Sequence, residues 1–124
     1  MPLFPSVTSL QQLAATPVAG FALQNGTPTI LTWAVPNDGL LHRVLVISTM
    51  DVTSTETGGG VVVNVTLPDG TTGQPTLYSS GKSAGMVNAN YVACQVKAGS
   101  TVTVAQASAL TGGASTVWAE IWGA

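Results

Sequence analysis

The sequence predicts an all-β protein: one antiparallel β-sandwich or jelly roll of about eight strands, entered through a short N-terminal arm or helix. Three observations carry that prediction. From Pro17 onward apolar residues recur with a period of two, which places them on one face of a strand. The runs are short, and Asn25-Gly26, Pro36-Asn37-Asp38-Gly39 and Pro68-Asp69-Gly70 separate them with turn residues. Of the 124 residues, 45% are hydrophobic and only 6% charged, so one domain can close one core and disorder is disfavoured.

Residues 1–16 form an N-terminal arm with a short helix, and residues 17–124 form the sandwich. Pro2 and Pro5 favour an extended path at the start. Ser6 to Ala15 reads as about two helical turns, because Thr8 and Gln11 have capping-box spacing and Leu10 and Leu13 lie one turn apart. Val18 to Leu23 is the first expected strand. Thr29 to Val35 is the second, with Leu31, Trp33 and Val35 on one face. Leu40 to Met50 is the longest, and its centre, Val44-Leu45-Val46-Ile47, is apolar on both faces and belongs inside a sheet.

Asp51 to Gly60 reads as a polar, mobile loop. Val61, Val63 and Val65 then alternate with Val62, Asn64 and Thr66 on a one-sided strand. Thr76 to Ser79 is a short strand and Gly81 to Asn90 a loop of small residues. Tyr91 to Lys97 turns Val92, Cys94 and Val96 inward, and Thr101 to Ala107 does the same with Val102 and Val104. Thr111-Gly112-Gly113 closes a last loop. The terminal strand points Val117, Ala119 and Ile121 one way, and Trp118 and Trp122 the other, with Glu120 between them. A strand apolar on both faces belongs in the middle of a sheet or against another subunit.

Charge narrows the function. The net charge is −2, with three Lys or Arg residues in all. Nucleic-acid binding needs clustered cations to displace counterions, and Arg43, Lys82 and Lys97 are scattered, so neither nucleic acid nor an anionic membrane is expected as a partner. No apolar run approaches the roughly 20 residues of a spanning helix, and the first twenty residues lack a secretory signal pattern. One cysteine, Cys94, excludes an intrachain disulfide. A surface this poor in charge suits a protein that lives packed in an assembly.

No catalytic, cofactor or metal site is expected. Gly81-Lys82-Ser83-Ala84-Gly85 matches the G-x-S-x-G nucleophile elbow, but no helix pattern follows, and the one histidine, His42, precedes the serine. The same segment lacks the first glycine of a phosphate-binding loop, since position 76 is Thr. Asp51 and Glu56 share one segment but fall short of the six or so oxygens that calcium takes. Trp118 and Trp122 read as core or subunit-interface anchors, with a sugar-stacking platform as the other use of such side chains. Glu120 reads as an interface carboxylate, with Arg43 as its candidate partner.

The segment Val96-Lys97-Ala98-Gly99-Ser100-Thr101-Val102-Thr103-Val104, followed by Thr116-Val117-Trp118-Ala119-Glu120-Ile121-Trp122, is similar to the last two strands of bacteriophage jelly-roll domains and of the tumour-necrosis-factor/C1q-like fold. The low-charge, Thr-, Gly-, Val- and Ala-rich texture also resembles small virion proteins of tailed bacteriophages. The resemblance implies a virion location and a capsid decoration protein, head fibre or tail-fibre tip, commonly a homotrimer. A decoration protein would bind the major capsid protein on the outer shell and stabilise it. Trp118, Glu120, Trp122 and Arg43 are then the expected subunit interface, and Leu3, Phe4, Leu10 and Leu13 the expected capsid-docking arm. A receptor- or carbohydrate-binding module of a fibre, with a glycan ligand, is the alternative.

Overall fold

A computed structural model of the chain describes residues 10–75 and 83–124. The described residues form nine strands and no helix: β1 (Gln11–Ala15), β2 (Phe21–Ala22), β3 (Thr29–Ala34), β4 (Leu41–Gly58), β5 (Val61–Thr66), β6 (Thr72–Gly73), β7 (Val87–Lys97), β8 (Thr101–Gln106) and β9 (Leu110–Gly123). All pairings are antiparallel. One sheet runs β1-β9-β4-β7, with β2 also on β9, and the other runs β3-β8-β5-β6. This is the antiparallel sandwich that the period-two pattern predicts.

The core lies between the sheets. Val44, Val46, Met50 and Val52 of β4, Val92 and Val96 of β7, and Val117, Ala119 and Ile121 of β9 meet Val61, Val63 and Val65 of β5 and Val102 and Val104 of β8. Each fully buried Val or Ile stabilises the fold by about 1.5–3 kcal/mol relative to exposure. Both strands with two apolar faces are interior. β4 lies between β9 and β7, and β9 lies between β4 and the β1–β2 edge.

Several elements differ from the sequence expectation. Gln11–Ala15, expected at the end of a helix, is a strand paired with β9 from Gln11 against Gly123 to Ala15 against Glu120. A two-turn helix is marginal in water, whereas the edge of β9 supplies ready ladder partners. The rest of that helix, Ser6 to Ser9, lies outside the described residues, as do Leu3, Phe4 and the strand expected at Thr76 to Ser79. The first strand shrinks to Phe21–Ala22 because Pro17–Gly20 makes a turn, closed by Gly20 N–H donating to the Pro17 carbonyl at 2.8 Å.

The largest correction concerns Asp51 to Gly60. It is not a loop: β4 continues to Gly58 beside β9, which itself begins at Leu110. The register slips at three places, between Val52 and Ser54, Ser54 and Thr57, and Thr57 and Gly58. Polar residues hide this pairing from a periodicity argument. At Gly113 (φ +84) a Cβ would sit 2.1 Å from the Thr55 carbonyl oxygen, so the irregular ladder requires glycine there. Similarly, the small-residue loop ends sooner than expected, since β7 already starts at Val87.

The two ends of the sandwich have different characters. At one pole the turns at 35–40, 67–71 and 98–100 come together. Gly99 N–H donates to the Pro36 carbonyl, and a Cβ on Gly99 would touch Asn37 and Pro68. At the other pole, Ala107 N–H donates to the Gly60 carbonyl and Leu110 N–H to the Gln24 carbonyl.

Candidate interaction face of the five-stranded sheet

Inward positions of β4, β7 and β9 fill the core, so every alternate side chain faces away from it. The outward set builds ladders across the sheet. Trp122 stands beside Leu45, and Leu45 beside Ala93. Glu120 stands beside Ile47, and Ile47 beside Tyr91. Trp118 stands beside Thr49, and Thr49 beside Ala89. The result is a broad apolar face in which Tyr91 is 73% exposed, Val87 67% and Trp118 36%. Two shallow depressions adjoin at Leu45. One, of about 620 Å³, involves Leu10, Arg43 and Gln95, and the other, of about 360 Å³, involves Ile47, Ala89 and Tyr91.

The opposite outer face, on the four-stranded sheet, is more polar, with Val62, Ala105 and Ala34 as small apolar positions among hydroxyls and amides. Thr103 stands between Thr32 and Asn64, and Thr101 between Ala34 and Thr66. Gln74 Nε2 donates to Asn64 Oδ1 at 2.8 Å, and the Thr66 and Thr72 hydroxyls lie 3.2 Å apart. Hydroxyls and amides of this kind solvate a surface without charge. The molecule therefore has one face suited to water and one suited to burial.

The residues expected at an interface fall unequally on this geometry. The Trp118 indole is pinned by Nε1–H donating to the Val18 carbonyl at 2.9 Å. Trp122 is half-buried, and its Nε1–H donates to Glu120 Oε2 at 3.0 Å. Glu120 thus has its partner within β9. It stands opposite Ile47, while Arg43 lies four residues further along β4, so the fold does not set Arg43 opposite Glu120. Leu10 lines the depression beside Arg43, and Leu13 lies against Gly123 within the sheet.

Two arrangements escaped the sequence reading. His42, 5% exposed, is clasped between elements: Nε2 lies 2.9 and 3.0 Å from the two Asp38 oxygens, and Nδ1 lies 3.0 Å from the Ala124 main-chain oxygen. The His42 hydrogen bond, and after it the Leu40 N–H, holds the Asp38 carboxyl below the usual carboxylate range. Trp33 meets the imidazole edge-on at 6.1 Å. At the other pole, Glu56 is 2% exposed. Its Oε2 accepts from Ser115 Oγ at 2.5 Å, while Oε1 has no hydrogen-bond partner among the described residues. The aspartate four positions away was a visible signal for the first arrangement. Nothing local signalled the second.

These groups do not assemble into a reaction centre. Ser83 leads through a turn into a strand, not a helix, and His42 is at the opposite pole. Burial pushes the Cys94 thiol up from its ordinary value, which disfavours the reactive thiolate. Among the described residues no three His, Cys, Asp or Glu side chains converge as metal ligands.

No family model matches the sequence, and no curated protein matches it significantly. A solved structure does share the fold: a chain in the structure of infectious bursal disease virus, Gx strain. The match has a TM-score of 0.59 at 13% identity, and covers 92% of this chain and 31% of the virus chain. The chain therefore spans about a third of the length of that neighbour, and what the two share is a β-sandwich found in a virus.

Proposed function

We propose that the protein is a non-enzymatic structural virion protein: a trimeric capsid decoration protein that binds the outer surface of the shell and stabilises it. The observation that carries this reading is the contrast between the two outer faces. Tyr91, Val87, Leu45, Ile47 and Trp122 lie on one continuous surface whose burial stabilises association, and the Thr- and Asn-rich face opposite is left for solvent. Packing the apolar face around a three-fold axis would cover it in every copy, and a ring closes without leaving an unpaired patch. The shared sandwich of a virus chain agrees with a virion role.

Binding to the major capsid protein would stabilise the shell by mass action, because only the assembled shell offers the site. Purified protein added to emptied capsids that lack it should raise their melting temperature in proportion to occupancy. Unchanged melting at saturating protein contradicts the reading.

One observation favours a glycan-binding alternative. The pinned Trp118 indole borders a recess of about 200 Å³ with Glu120, Thr49 and Thr16, a mixture of aromatic surface and acceptors that suits a sugar ring. Under that reading the protein binds cell-surface glycan and Trp118→Ala abolishes the binding.

A further inference from the structure

The strands at the margins of the two sheets are not alike. β1 has 5 residues and β6 has 2. β1 and β3 are each broken by a register shift, and Pro28 bounds β3. Short or irregular edges of this kind resist pairing with another chain. β7 has none of these protections. It runs 11 residues in unbroken register with β4, from Val87 against Asp51 to Lys97 against Leu41. It holds no proline, and its one charged residue, Lys97, is its last. Among the described residues no strand covers its outer side.

The phase of the hydrogen bonds shows what that side presents. Val52 N–H donates to the Met86 carbonyl at 2.9 Å. With Asp51 opposite Val87, this makes the even-numbered residues of β7 the ones bonded to β4. The other flank of β4 has the complementary phase, since Ala124 N–H donates to the Arg43 carbonyl. Ala89, Tyr91, Ala93 and Gln95 therefore direct their N–H and C=O groups away from the sheet, and all four are exposed.

We propose that β7 pairs with β7 of a second copy, antiparallel about a two-fold axis at Val92, and so joins two five-stranded sheets into one. This register sets Tyr91 opposite the partner's Ala93 and Ala89 opposite the partner's Gln95. All of these residues belong to the outward-bonding set, as an antiparallel ladder requires. Two features select a second copy as the occupant. Lys97 falls opposite the partner's Val87, in one row with the partner's Asp51. That carboxylate is about 10 Å away at ordinary strand spacing, close enough for a lysine to lean towards it, and the two-fold axis makes the contact twice. No like charges face each other across the seam. The outer apolar rows also continue: Trp122, Leu45 and Ala93 run into the partner's Tyr91, Ile47 and Glu120. An isologous contact closes on itself and leaves no free β7 edge.

The pairing does not rest on the decoration reading. With three copies packed by their apolar faces, edge pairs would link neighbouring trimers. Edge hydrogen bonds replace bonds to water, so this contact is weaker than burial of the face and forms at higher concentration.

Sedimentation and amide exchange of the full chain between about 10 μM and about 1 mM test it. The sedimenting mass should grow beyond that of the unit present at low concentration. Over the same range the amides of Ala89, Tyr91, Ala93 and Gln95 should slow by about ten-fold, while those of Val92 and Cys94, already bonded to β4, stay as they are. Ala93→Pro removes an outward N–H and no bond to β4, so it should abolish the growth and leave thermal melting nearly unchanged. Lys97→Glu should weaken the association by about five-fold, and Asp51→Lys in the same chain should restore it. A mass that does not grow, or growth with the four amides still in fast exchange, overturns the proposal. So does growth that persists in a folded Ala93→Pro. Failure to bind capsids would remove the decoration reading and leave the edge pairing intact.

Discussion

His42 shows how a single side chain can join distant parts of a chain. Its ring ties the 35–40 turn, through Asp38, to the last residue of the sequence, through the Ala124 oxygen. The Asp38 carboxyl is held below its ordinary range in the fold. Its contribution to stability is therefore present above the unfolded value of about 3.9 and is lost as pH falls through the lower folded value. Wild type should accordingly melt above Asp38→Asn at about pH 5, and the gap should close with further acidification. A gap that widens towards acid would show that the clasp is not what lowers Asp38. The inward faces at this scale were legible in the sequence: Val117, Ala119 and Ile121 alternate strictly, and all three are buried. The clasp was legible only in its Asp38 half, because the other half depends on a contact across 82 positions.

At the scale of elements, local signals succeeded where one face is apolar and failed where pairing is polar. The β4 centre announced its interior place through Val44-Leu45-Val46-Ile47, and it has neighbours on both sides. The far half of β4 carries Thr, Ser and Glu side chains, so its pairing with β9 left no alternating trace. The Leu10 and Leu13 spacing suggested a helix, but pairing with β9 drew Gln11–Ala15 into a strand. The irregular β4–β9 ladder also holds Glu56, whose buried carboxylate has one hydroxyl donor, Ser115. Removing that donor leaves a buried carboxylate without it, so Ser115→Ala should lower stability by about 2 kcal/mol in denaturant unfolding. It should also speed amide exchange at this pole before it affects the His42 pole. An unchanged midpoint would mean that Glu56 is satisfied in another way.

For the whole molecule, the sandwich was readable from turn spacing and period alone, whereas the use of its surfaces was not. Sequence placed Trp118, Glu120 and Trp122 on one side of a strand. Only the sheet order joined them to Leu45, Ile47 and Tyr91 and made a face of them. That face is the central claim, and sedimentation equilibrium tests it most directly. The wild type at micromolar concentration should sediment with the mass of three chains of 12.5 kDa. Tyr91→Glu, which places a charge at the exposed middle of the face, should sediment as a folded monomer. A wild type that stays monomeric under these conditions, or a Tyr91→Glu trimer as tight as the wild type, would contradict the account.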